Sequence, residues 1–142
     1  MVTEERAYHE SLIRTAESDL NLAEDLMNKG RYDAAVFYAA MAGENAANAL
    51  IIALGGRPSK RHRVGVALDT YFRARREKVP EEIVGVIEKL KWLEPHVVIS
   101  RYPVKVGGKW TSPSSRYRKS DAQRAIGYAG AILRVAKQHK PR

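Results

Sequence analysis

Between Asp33 and Leu54, alanine recurs at positions 35, 39, 42, 46, 49 and 53, three or four residues apart. That spacing sets all six on one face of an α-helix. A stripe of methyl groups lets neighbouring helices come close, so the segment predicts the middle of a helical bundle. Gly55, Gly56 and Pro58 end it. The flanking segments keep the same period. Residues 4–28 carry Tyr8, Leu12, Ala16, Leu20, Ala23 and Met27 on one stripe, with Thr3 as a cap and Gly30 as a stop. Residues 62–77 present Val64, Leu68, Tyr71 and Phe72. Pro80 opens a fourth helix whose stripe is Ile83, Ile87, Leu90 and Leu93, and Pro95 interrupts it before a short turn. Ser120, with Asp121, Ala122 and Gln123 behind it, reads as a capping box for a last helix carrying Ala122, Ile126, Ala129, Leu133 and Ala136. Beyond the short Val97–Ile99 run, no stretch alternates with period two. The expectation is an all-α chain: an up-and-down bundle of four long helices plus a short one, a single domain over residues 1–142.

Several function classes fall away on composition. Cysteine is absent, which removes disulfides, thiolate metal sites and a cysteine nucleophile. Charges interrupt the apolar runs, so no membrane span is expected. The polar, acidic start does not read as a signal peptide, and the chain is expected to be cytoplasmic. The net charge of +9 is unevenly spread: residues 1–56 carry −5 and residues 57–142 carry +14. Such polarity suits an anionic partner on one face.

The basic residues are interleaved with aromatics. "ISRYPVKVGGKW", residues 99–110, breaks the helical spacing, and the irregular stretch runs on to about residue 119. Arg101, Tyr102, Lys105, Lys109, Trp110, Arg116, Tyr117, Arg118 and Lys119 fall within it. A second group, Lys60, Arg61, His62 and Arg63, opens the third helix. Cations neutralise phosphates and aromatic faces stack on bases, which suits a nucleotide or single-stranded RNA. The candidate phosphate-binding residues are therefore Arg101, Tyr102, Lys105, Arg116, Arg118, Lys119, Lys60, Arg61 and Arg63. The competing readings are a crossover with solvated charges and a dock for an acidic protein. Glu44, Asn45 and Asn48 stand inside the alanine helix, where a buried polar group needs a partner; the readings are a solvated face between two buried stripes and a functional group.

Taken in order, the motifs resemble the HEPN family, the higher eukaryote and prokaryote nucleotide-binding domain. They are Ala16-Glu17, Asp19-Leu20 and Ala23; "GRYDAAVFYA" at 30–39; Ala42, Glu44, Ala46, Ala49 and Leu50; His62 before the third helix; and "LEPHVVISRYP" at 93–103. The resemblance covers about residues 5–137. It implies a helical bundle, a homodimer, and pairing with a small nucleotidyltransferase in systems of the toxin–antitoxin kind. Many members are metal-independent RNases with an arginine and a histidine four to six residues apart, and others are binding modules. Arg101 is the natural arginine, but residues 106–108 are Val, Gly and Gly, so the histidine is missing there.

Arg57 with His62 and Arg134 with His139 match that spacing elsewhere, at a number chance alone would supply. His96 precedes Arg101 by five residues, in the reverse order. Histidine as base and arginine as phosphate clamp could cleave RNA without a metal. No histidine pair or acidic cluster has metal-ligand spacing, and no cofactor motif occurs. The expected function is a nucleotide- or RNA-binding module with no assigned catalytic residue, the alternative being an RNase with a displaced arginine–histidine site. Helix two also offers a second apolar side (Val36, Leu50, Leu54) for a symmetric interface.

Overall fold

In a computed structural model, which describes residues 3–60 and 62–142, five substantial helices pack around one of their number. They are α1 (Glu4–Asn28), α2 (Tyr32–Leu54), α3 (Val64–Ala74), α4 (Glu81–Leu93) and α7 (Lys119–Lys137). Two single-turn helices, α5 (His96–Ile99) and α6 (Pro113–Arg116), flank a hairpin of β1 (Val104–Val106) and β2 (Lys109–Thr111). The helical bundle is as expected from the spacing.

The alanine helix is the hub. α2 touches α1, α3, α4, α5, α6 and α7, and Ala35, Ala39, Ala42, Ala46 and Ala49 are all buried. Gly43 shows how close the packing is: a Cβ there would lie 2.8 Å from Leu93 Cδ1, so a larger residue would require the Leu93 side chain to shift. Of the second apolar side of α2, Val36 and Leu50 are fully buried inside the protomer, while Leu54 is half-buried. α2 also corrects the expectation that no segment could cross a membrane. By length and composition its 23 residues could, and 78% of the apolar window is buried inside the bundle.

One helix face and the bounds of two helices differ from the spacing. Tyr8 is 44% exposed and His9 is buried in its place, because the stripe of α1 rotates toward α7. α3 begins at Val64 rather than 62, since His62 takes a left-handed φ of 57°. α7 begins at Lys119: the Asp121 carboxylate accepts the backbone N–H of Arg118 at 2.8 Å, so the acid, not Ser120, closes that end. The hairpin is new. Val104 pairs with Thr111, Lys105 with Trp110 and Val106 with Lys109 across Gly107 and Gly108, whose φ values of 55° and 78° make a two-residue turn with both φ positive.

Candidate nucleic-acid interface

The irregular 99–119 stretch is ordered by one residue. Arg116 Nη1 donates to Thr111 O at 2.6 Å and to Thr111 Oγ1 at 3.0 Å. Its Nη2 donates to Ile99 O and, at 3.0 Å, to Tyr102 O. The planar fork therefore ties the start of the crossover to its return, and holds the hairpin between them. Arg116, expected to meet phosphate, has both terminal nitrogens committed to backbone and protein hydroxyl oxygens.

Arg101 lies free of such ties. Its guanidinium is 4.8 Å from the Phe37 ring centroid and 6.0 Å from that of Tyr102, and the side chain is exposed. A cation against aromatic faces keeps its charge while its rotamers narrow. Beside it opens a cleft of about 420 Å³, lined by Asp33, Phe37, Tyr38, Ser100, Arg101 and Ser114 among others. Asp33 repels a phosphate and would instead accept from a base or sugar hydroxyl. Next along the chain, Lys105 and Trp110 face each other across the hairpin, and Trp110 is 71% exposed. Arg118 and Lys119 are exposed at the start of α7.

Tyr117 departs from its neighbours. It is buried, and its hydroxyl bonds His96 Nδ1 at 2.8 Å. Burial pushes its pKa up to about 12. His96 also packs on Trp92, with ring centroids 4.4 Å apart, and burial holds its pKa below 6.5. The ring is thus part of an aromatic stack.

The second basic group is built differently. Asn48, buried on α2, grips Ser59 through both of its amide atoms: Nδ2 donates to Ser59 O at 3.0 Å and Oδ1 accepts Ser59 N–H at 2.9 Å. Glu44, one turn earlier and 5% exposed, meets His62 Nδ1 at 2.7 Å. Glu94 accepts the N–H of Gly65 at 3.0 Å and so caps α3. Burial raises the pKa of both carboxyls, and the hydrogen bonds from His62 and Gly65 oppose it. Lys60 and Arg63 project from this anchored loop as exposed cations, and Arg61 lies outside the described residues. Among the described residues, no hydrogen bond or ring contact joins Lys60 and Arg63 to the Arg101 group.

Sequence reasoning missed Phe37, the platform under Arg101. Its signal was the Phe37-Tyr38 pair at the head of an alanine helix. It also missed the Glu44–His62 contact, which joins residues 18 apart in sequence.

The comparisons with known proteins agree with this architecture. The family model of the HEPN domain matches residues 9–139. A Methanocaldococcus jannaschii protein named "Putative toxin MJ1304" is 32% identical over 132 residues, covering 92% of this chain and 86% of that one. Among solved structures, TT1696 from Thermus thermophilus aligns with a TM-score of 0.73 at 24% identity, over 92% of this chain and 96% of that one. ST0689, described as an archaeal HEPN homologue, aligns at 0.70 and 24%, over 92% and 95%. The two structures speak for the fold, while the domain match and the toxin relative speak for descent: this chain belongs to the HEPN family.

Proposed function

We propose that the chain is a HEPN module that binds a nucleotide or single-stranded RNA on the hairpin face, and that it serves a toxin–antitoxin-like system alongside a small nucleotidyltransferase. The observation that carries the reading is the exposed Arg101 guanidinium against Phe37 and Tyr102, beside a cleft and next to the exposed Trp110. Phosphate would meet Arg101 and Lys105, with Arg118 and Lys119 lengthening the positive track. Bases would stack on Trp110 and Tyr102. Arg116 contributes by fixing the hairpin. Lys60, Arg61 and Arg63 would serve a longer strand.

The HEPN resemblance and the toxin relative support the biological setting. They also favour a homodimer. Because Val36 and Leu50 are buried within the protomer, its interface would draw on other residues.

One observation favours the RNase alternative. Glu44 holds His62 by Nδ1, as a carboxylate orients a histidine base, and Arg57 stands five residues upstream. Incubating the purified protein with labelled RNA and a chelator separates the two. The binding reading predicts intact RNA that is retained by the protein. Cleavage that disappears in both His62→Ala and Arg57→Ala would select the RNase.

A further inference from the structure

A second cleft, of about 530 Å³, opens where the first half of α1 meets the end of α7, far in sequence from the hairpin. It gathers Arg6, Arg14, Lys137 and Lys140. Arg6 and Arg14 are two of the four cations in the acidic first 56 residues. Lys137 is held by Glu17 at 3.0 Å. Among the described residues, the Arg6, Arg14 and Lys140 side chains form no ion pair, and Glu10 is the other acid lining the cleft. Three cations against one unpaired carboxylate leave the cleft positive.

His9 also lines this cleft and is its most telling residue. It is 5% exposed, and its Nε2 is closed to solvent. Because that nitrogen is closed to solvent, the ring answers to a ligand in the cleft through its charge rather than by direct contact. Burial lowers the His9 pKa, and Lys140 acts the same way. The carbonyls of His139 and Ala136, and the Glu10 carboxylate, oppose it. An anion placed among these groups would shift the balance toward the protonated ring.

We infer that this cleft binds a small phosphomonoester. A dianionic phosphate offers enough acceptor oxygens for Arg6, Arg14 and Lys140 together, with the His9 ring responding to its charge. The volume exceeds what one phosphate fills and falls in the range of small-ligand sites. Ile13 and Pro141 supply apolar wall for the organic part, and Glu10 accepts from its hydroxyls.

The test is a titration with ribose 5-phosphate, inorganic phosphate and ribose, following the His9 ring nitrogens by NMR. The expected order of affinity is ribose 5-phosphate, then phosphate, then ribose, with His9 Nε2 moving toward its protonated position. Arg14→Ala, a change at an exposed position, should weaken binding about tenfold or more. Arg101→Ala should leave this binding unchanged, which separates the cleft from the hairpin face. An unmoved His9 signal, ribose binding as well as its phosphate, or an unaffected Arg14→Ala variant would overturn the assignment.

Discussion

The connection from α2 to α3 is held from beneath, by Glu44 and Asn48 reaching out of the buried face of α2 to His62 and the backbone of Ser59. The connection from α5 to α7 is held from within, by the Arg116 fork closing on Thr111, Ile99 and Tyr102. Both are basic, and both interrupt the bundle. In the first, buried polar groups of the core fix a loop, so loop and core stand or fall together. In the second, the loop fixes itself, so its side chains can face solvent with little demand on the core. A surface that must receive a ligand suits the second plan, because substitutions there change recognition before they change folding.

The sharpest way to break this contrast is Asn48→Ala. It removes both hydrogen bonds to Ser59 and leaves a small void, so urea unfolding should show a loss of about 2–4 kcal/mol. Arg116→Ala should cost less, about 1–2 kcal/mol. Its mark should be local: faster amide hydrogen exchange over residues 99–112, with α2 and α7 unchanged. If Arg116→Ala lowered protection across the whole bundle, the claim that the loop holds itself would fail. Trp110→Ala should change stability by less than about 0.5 kcal/mol, since the ring is 71% exposed. It should nevertheless weaken single-strand binding by about 1–3 kcal/mol through removal of the stack, as read by a filter-binding titration.

Smaller still is the pH effect. Burial holds His9 and His96 below 6.5, so the unfolded chain takes up protons first as the solution is acidified. Their stabilising contribution is present above 6.5 and is lost as pH falls through the folded values. Asp19, Glu44 and Glu94 are raised by burial and act in the opposite sense: their contribution is present below their ordinary values and is lost as pH rises through the folded ones. His96→Gln should therefore flatten the loss of stability on acidification below 6.5, measured by thermal melts across pH. An unchanged slope would mean that His96 titrates alike in both states.

The helices were legible because burial imposes a period, and Ala35 to Ala49 display it without interruption. The two-residue hairpin was legible in principle. Gly107-Gly108 between "VKV" and "KWT" is a turn signal, but three-residue strands are too short for alternation to stand out against the helical background. What the sequence could not convey is which of two similar arginines is committed. Arg101 and Arg116 sit in the same basic stretch, and only the return of the chain past Ile99 and Tyr102 turns Arg116 inward. The same holds for Glu44 and Asn48. Their place in an apolar helix marked them as unusual, while their partners came from a loop that no spacing rule locates.

Whether the hairpin face is the surface that meets phosphate is tested most directly by the salt dependence of single-stranded RNA binding. A fluorescence titration would compare the unaltered chain, an Arg101→Ala, Lys105→Ala double variant, and Lys78→Ala in the turn before α4. The log–log slope with salt falls by about 0.7 for each phosphate that is no longer neutralised on a single strand. The double variant should therefore bind more weakly and show a slope shallower by about 1.4, twice that amount, with Lys78→Ala matching the unaltered chain. Equal affinities and equal slopes for all three proteins would contradict this assignment and leave the hairpin a crossover with ordinary surface charge.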